Sequence, residues 1–454
     1  MQSPQTAAQV AEAARSAGLR LVRFLYCDND GVIRGKASGM AELETRLERG
    51  IGLTVAMQAF TMLDHLAPYE GMGPVGEIRL VPDLSTFVVA PYAPHTGVVL
   101  VDMVTLEGQP YAADGRAFLT RMIDRAAKRD LSFMAAFEPE WTLASRGPDG
   151  GYHPIDESGC FTSTGMNTAA GVIDDVVEAL EAQGLEVEQY YPELGWGQQE
   201  LSIKHAPALS AADRHILYKE TVRGVALRQG LYALFAPKPW TDQAGNGCHL
   251  HFSAWSNDGT TNRFYDQRET HGLSTTARQF MAGVLEHLPA LLALTCASVN
   301  SYRRLQPQTW ASAYRVWGPD NREGALRVAS PTRSREAQTT NVELKASDSS
   351  SNPYVALGGL IAAGLDGIER GVELAPPATT DPHLLTDKER QAIGADRLPQ
   401  SLHEAVANLR GDDVLLEALG ERLAGSYLAV KEADIAAFAN EDEAFELRQH
   451  AYKF

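Results

Sequence analysis

Acids and histidines stand two residues apart in and beside short apolar runs of this sequence, and that spacing restricts the fold more than any other feature. Glu138 and Glu140 flank Pro139 just after the strand-like run 133–137. On an extended chain positions i and i+2 face the same way, so both carboxylates point together. Two like charges side by side are unfavourable unless a cation lies between them. Taken alone, the pair also fits a solvated strand end. His249 and His251 repeat the spacing after Ala244-Gly245-Asn246-Gly247. Histidine is a common ligand of divalent metals, and a glycine loop brings backbone N–H groups close to an anion. A single strand histidine, by contrast, is more often structural.

Further acids follow. Glu193 and Glu200 flank a segment with two glycines, Gly195 and Gly197, which permits a tight return and lets the acids meet. A surface loop with two acids fits equally well in isolation. Glu343 lies between Val342 and Leu344, where a carboxylate needs a partner. Positive charge is supplied by Arg303, Arg304, Arg322 and Arg327. Arginine forks match carboxylates and phosphates, although solubility alone also accounts for surface arginines. As a set, carboxylates with histidine imply Mg²⁺ or Mn²⁺ rather than zinc. Acids for metal and arginines for anions are what phosphoryl transfer needs.

The rest of the chain bounds this chemistry. With 454 residues there is material for a large core and two domains. The net charge of -18 repels phosphate backbones and anionic membranes, so no nucleic-acid or membrane partner is expected. The cysteines Cys27, Cys160, Cys248 and Cys296 form no CxxC pair, which argues against a disulfide scaffold or a zinc knuckle. No apolar leader is evident near the N-terminus, and the most apolar stretches, 288–299 and 354–365, read as buried helices. A cytoplasmic location is the expectation.

The pattern predicts an α+β fold. Residues 1–110 form a small unit in which strand 21–26, the turn 28–31 and strand 32–35 make a hairpin. Apolar runs follow at 87–90 and 98–101. From 111 to 454 a larger unit mixes short strands (133–137, 201–203, 249–252, 341–345) with long helices (116–129, 171–183, 211–229, 276–294, 353–369). A polar connection at 381–398 leads to a helical end, 401–452.

At this point the chain resembles the glutamine synthetase family over nearly its whole length. The resemblance is carried by Phe137-Glu138-Pro139-Glu140, Pro192-Glu193 through Glu200, Pro237-Lys238-Pro239, Gly245 through His251, Asn300-Ser301-Tyr302-Arg303-Arg304-Leu305, Asn321-Arg322, Arg327 and Asn352-Pro353-Tyr354. It implies an N-terminal β-grasp domain and a larger glutamine synthetase-type catalytic domain. It also implies a ring-shaped homo-oligomer, typically a dodecamer, with active sites between neighbouring subunits. The positions matching Glu140, Glu193 and Glu200 build one metal site, and those matching Glu138, His249 and Glu343 build another. Arg322 and Arg327 match residues that handle the ATP phosphates, and Ser253 matches a nucleotide contact. Gly245 and Arg304 match residues that hold glutamate. The implied cofactors are ATP and Mg²⁺ or Mn²⁺, two or three ions per site. The implied reaction phosphorylates a carboxylate, giving an acyl-phosphate that a neutral amine attacks.

Departures from the family pattern concern the substrates. The family's ammonium site uses an acidic segment where this chain reads Gly52-Leu53-Thr54-Val55-Ala56-Met57-Gln58, and a glutamate where this chain has Trp310. An apolar, aromatic pocket favours an organic amine, with cation–π contact to its charged form. Lys345 stands where ammonia-using members carry an arginine for the substrate carboxylate, and lysine keeps the charge but loses the fork. Asn341 likewise replaces an arginine. Asp64 is a candidate base without a positional match; it equally fits a surface turn. The expected function is an ADP-forming glutamate–amine ligase making a γ-glutamylamide. The alternatives are an ammonia-using glutamine synthetase and a non-catalytic regulatory member of the family.

Overall fold

The computed structural model describes residues 6–148 and 150–454. The N-terminal part is β-rich. Its strands are Leu21–Cys27 (β1), Ile33–Gly39 (β2), Ile51–Thr54 (β3), Glu77–Pro82 (β4), Val88–Val89 (β5) and Thr96–Val104 (β6). They pair in the order β2-β1-β6-β4-β3, with β5 on β6. The β1–β2 pair is the antiparallel hairpin expected from the turn at Asp28–Gly31, whereas β1 and β6 run parallel. Alternation of buried Val22 and Phe24 along β1 faces them into a core closed by Val10, Ala11 and Ala14 of the first helix.

The larger part carries a second sheet. Its strands are Ser132–Arg146 (β7), Tyr152–Pro154 (β8), Val187–Pro192 (β9), Gln198–Ile203 (β10), Ala206–Pro207 (β11), Tyr232–Leu234 (β12), Cys248–Trp255 (β13), Tyr314–Pro319 (β14), Gly324–Val328 (β15) and Val342–Leu344 (β16). The order is β14-β15-β16-β13-β7-β10-β9, with β8, β11 and β12 on β7. Long helices Ala208–Arg228, Thr275–Thr295 and Pro353–Arg370 contribute buried apolar faces to the main core. No helix among the described residues is long and apolar enough to cross a membrane.

Asn352 shows how a local signal fixes a long-range junction. Its side-chain oxygen caps the helix Pro353–Arg370 by accepting from Tyr354 and Val355 N–H, and Pro353 sits where no N–H is needed. Its amide N–H₂ then donates to the carbonyls of Cys27 and Asp28 at 3.1 and 3.0 Å. The end of β1 is thereby tied to the larger part of the chain.

Three expectations change. The strand expected at 133–137 extends through Arg146, so Glu138-Pro139-Glu140 lies inside a 15-residue strand rather than after one. Pro139 faces Cys248 at a rung where the two strands exchange no hydrogen bond, Cys248 N–H donating to Ser347 instead, so the missing proline N–H removes no bond to β13. The helix expected from 171 begins at Ser163, where the Thr162 hydroxyl accepts from Gly165 N–H. The connection at 381–398 contains a helix, Asp387–Ala392, set by a Thr386/Glu389 capping box.

Candidate active site

Strand register assembles the site. Across the antiparallel β7–β13 ladder, His249 stands opposite Glu138. Across β7–β10, Glu200 stands opposite Glu140. Across β13–β16, His251 stands opposite Glu343, and across β15–β16, Arg327 stands opposite Glu343 as well. The i, i+2 spacing of each pair then puts these side chains on one face. Like charges directly opposite, as at Glu140 and Glu200, are unfavourable in a sheet and indicate a centre built for something other than stability.

The side chains meet at close range. His249 Nδ1 lies 3.2 Å from Glu343 Oε1 and 3.7 Å from Glu138 Oε2, and its Nε2 lies 3.7 Å from Glu140 Oε1. His251 Nε2 lies 3.3 Å from Glu138 Oε2 and 3.9 Å from Glu343 Oε1, while its Nδ1 meets Asn341 Oδ1 at 2.9 Å. Glu138, His251 and Glu343 each present a ligand atom within 4.8 Å of the others. Lys345 Nζ approaches Glu343 at 3.6 Å and His249 Nε2 at 3.4 Å. Arg327 Nε pairs with Glu343 Oε2 at 2.6 Å, but without the geometry of a hydrogen bond, so both atoms lack one among the described residues.

The carboxylates titrate far apart. Burial, then the charge of Glu140, pushes Glu193 up to about 7. Burial, then Glu138 and Glu140, pushes Glu200 up to about 11. Burial works the same way on Glu343, but Lys345, His249, His251 and Arg327 outweigh it and bring the carboxyl down to about 2. Glu138 is likewise held well below the usual carboxylate range, burial being outweighed by its contacts with His249 and His251. One half of the centre is thus short of positive charge and the other half is supplied with it. A divalent cation among Glu140, Glu193 and Glu200 relieves that repulsion, and oxygen donors with imidazole suit Mg²⁺ or Mn²⁺. The residues present fit such ions.

Supporting groups orient the acids. Gln198 Nε2 donates to Glu140 Oε2 and to the Gly245 carbonyl, both at 2.9 Å, and Gly247 N–H donates to Glu140 Oε2 at 2.8 Å. Tyr191 donates its hydroxyl to Glu200 Oε1 at 2.5 Å. Gly245 and Gly247 are required for space. A Cβ at Gly245 would lie 2.5 Å from the Pro237 carbonyl oxygen and 2.7 Å from Arg304 Cγ, and one at Gly247 would lie 2.8 Å from His249 Nε2. Arg304, nearly fully buried, donates to the carbonyls of Lys345 and Ser347 at 3.3 and 2.8 Å. Its neighbour Arg303 turns away to Glu446 at 2.7 Å.

The remaining sequence candidates lie outside this contact set. Ser253 follows His251 on β13 and its hydroxyl accepts from Trp255 Nε1. Arg322 is exposed in the turn between β14 and β15. Trp310 is 60% exposed, in a loop whose backbone it enters with φ 62°. Asp64 is engaged by Arg34 at 2.7 Å within the N-terminal part. Gln58 is buried there, its Nε2 directed to Met103. Gln198 and Tyr191 carry no role on sequence grounds, and His251 stands there as one of a histidine pair without being a ligand. Strand alternation is the signal for two of these: Gln198 precedes Glu200 by two residues, and His251 follows His249 by two.

A carboxylate- and histidine-rich centre on a largely antiparallel sheet, flanked by arginine and lysine, has the chemistry to hold divalent cations and to meet anionic groups. The chain matches the family described as glutamine synthetase, catalytic domain, over residues 112–450, and the glutamine synthetase N-terminal domain over residues 5–114. It belongs to the glutamine synthetase family and is a carbon–nitrogen ligase. It is 38% identical over 418 residues to the gamma-glutamylpolyamine synthetase GlnA3 of Streptomyces coelicolor, covering 91% of this chain and 89% of that one. It is 34% identical over 443 residues to a glutamine synthetase of Mycolicibacterium smegmatis, covering 95% and 96%. Among solved structures it is similar to a novel glutamine synthase homolog, with a TM-score of 0.86 and 31% identity over 96% of this chain and 99% of that one. A GmaS/ADP complex gives a TM-score of 0.84 and 30% identity over 97% and 98%. The family generally uses ATP and divalent metals.

Proposed function

We propose that the chain joins the γ-carboxylate of glutamate to an organic amine, with ATP cleaved to ADP and phosphate, giving a γ-glutamylamide. The observation that carries this reading is the convergence of Glu138, Glu140, Glu193, Glu200, Glu343 and His249 beside Lys345 and Arg327, with an indole at position 310. Glu140, Glu193 and Glu200 would hold one ion, and Glu138, His249 and Glu343 another, with His251 facing the same acids. Bound there, divalent ions neutralise phosphate charge during transfer.

The chain's own residues supply the rest. Arg327 and Arg322 meet the phosphates, Arg322 being the exposed one, and Ser253 contacts the nucleotide. Gly245 leaves room for glutamate beside Arg304, and Lys345 offers a point charge to a carboxylate. Phosphorylation turns a poor electrophile into an acyl-phosphate with a good leaving group. The amine then attacks in its neutral form. The same reading takes residues 1–110 and 111–454 as two domains of a cytoplasmic homo-oligomer, a dodecamer with active sites at subunit interfaces.

A second reading, an ammonia-using glutamine synthetase, is favoured by the several glutamine synthetases at similar identity. Phosphate release by the purified protein with ATP, Mg²⁺ and glutamate, across a panel of amines that includes ammonium, tests both. Release with an organic amine well above that with ammonium supports the first reading. Preference for ammonium supports the second.

A further inference from the structure

The loop containing Trp310 is held in a conformation that its residues do not favour. Gln308, Trp310 and Ser312 all have left-handed backbones, with φ of 60°, 62° and 65°. Such residues persist only where their surroundings over-determine them, and they concentrate at functional sites. Two contacts, one to the first residue of β15 and one to the turn before it, do this here. Ser312 Oγ donates to the Gly324 carbonyl at 2.9 Å, and Trp310 N–H donates to Glu323 Oε1 at 2.7 Å.

Glu323 has a second oxygen that this arrangement does not use. Its Oε2 is buried and makes no hydrogen bond of good geometry among the described residues, although the Gln308 N–H also acts on the carboxylate. A buried carboxylate oxygen without a donor is unfavourable and calls for an explanation. Glu323 stands two residues before Ala325, whose carbonyl accepts from Lys345 N–H at 2.9 Å, and Lys345 touches both Glu343 and His249, so the carboxylate lies on the flank of the centre. Asp381 adds a second negative charge nearby. Position 310 is where the family pattern has a glutamate, and here the carboxylate beside that position comes instead from a different element.

We propose that Glu323 is a specificity-determining residue that receives an N–H of the amine substrate on its free oxygen, while Trp310 covers the carbon chain attached to that nitrogen. The substrate class is a primary amine with an alkyl portion. This rests on the ligase reading above. It concerns binding, and no proton transfer is assigned to Glu323. A charged acceptor and an indole face together discriminate an alkylamine from ammonium, because ammonium has no carbon chain to bury against the indole.

The test is Glu323→Gln. The amide keeps a carbonyl for Trp310 N–H and removes the charge, so the loop is retained. The KM values for ATP, glutamate and the amine are measured with whichever amine the wild-type enzyme uses best, ammonium included, together with the melting temperature. The amine KM is expected to rise about tenfold or more, as for loss of a hydrogen bond to a charged group. The KM values for ATP and glutamate and the melting temperature should stay close to wild type. Trp310→Ala should weaken alkylamines more than ammonium. An unchanged amine KM in Glu323→Gln overturns the proposal. So does a parallel rise of all three KM values with a lowered melting temperature, which would make Glu323 a loop clamp only. If the wild type prefers ammonium, the organic-amine reading falls while the effect of Glu323→Gln on ammonium KM still decides this residue's role.

Discussion

Glu138 and His249 are cross-strand partners on β7 and β13, and the His249 ring sits between the Glu138 and Glu343 carboxylates at 3.7 and 3.2 Å. One imidazole thereby links acids from two different strands. A register slip of one residue would send every one of these side chains to the opposite face. The centre is therefore as secure as the sheet that carries it.

Glu343 is the most heavily compensated acid of the centre, with Lys345, both histidines and Arg327 around it. Glu343→Gln removes the charge and leaves those groups facing one another. The Mg²⁺ or Mn²⁺ concentration for half-maximal phosphate release should rise about tenfold or more. A metal titration of both proteins checks this. An unaltered metal requirement would separate Glu343 from metal binding.

Gly245→Ala places a methyl against the Pro237 carbonyl and the Arg304 side chain. Arg304 is held by backbone carbonyls on its far side and has little room to retreat. Displacement by a fraction of an ångström should raise the glutamate KM about tenfold or more, with ATP KM little changed. Equal effects on both substrates would contradict the assignment of this corner to glutamate.

Arg116 joins the two parts of the chain. Its guanidinium binds both oxygens of Asp213 at 3.0 Å, Asp102 at 2.5 Å and Asp83 at 2.7 Å. Asp213 is buried and also accepts from Tyr354. Removing the cation leaves a buried charge uncompensated, which costs about 3–5 kcal/mol. Arg116→Ala should lower the urea midpoint accordingly. A loss confined to a few tenths of a kcal/mol would show that the acids re-solvate.

His287 bridges three helical segments, meeting Asp412 at 2.7 Å and Asp366 at 3.0 Å. Burial lowers the affinity of its ring for a proton, but Asp412 and Asp366 outweigh this and raise it above the ordinary value. Its contribution to stability is therefore full below about pH 6.5 and is lost as pH rises through the raised value. On the acid side, burial of Asp366 is outweighed by His287 and Arg370, so its carboxyl is lowered, and its contribution disappears as pH falls through that lowered value. The melting-temperature gap between wild type and His287→Gln should be widest near pH 6 and should narrow toward pH 9. A gap that widens with pH would reverse the sign.

Much of this was readable from residue order. The hairpin about the turn at 28–31, the helix from Pro353 and the paired acids at Glu138 and Glu140 all depend on local spacing, and local spacing is what a sequence displays directly. What escaped depends on strands far apart in the chain. Nothing near Glu343 announces that Arg327 and His251 flank it, because β15, β16 and β13 are adjacent only in the folded sheet. Glu323 escaped for the same reason: its partner is the Trp310 backbone, 13 residues away around an irregular loop. Ser163, Thr164, Gly165 and Thr168 hid the first turns of Ser163–Glu181, since these residues lower helix propensity where packing overrides it. The left-handed residues from Gln308 to Ser312 have no sequence signature, as none is glycine.

The central claim is that amide is formed on an organic amine in preference to ammonium. The most direct measurement is a competition in which the enzyme, ATP, Mg²⁺ and glutamate meet an organic amine and ammonium at equal concentration, with both products quantified by mass. A predominance of γ-glutamylalkylamide over glutamine is the expected result. A predominance of glutamine, with every organic amine of the panel, would contradict the account and leave an ammonia-using glutamine synthetase.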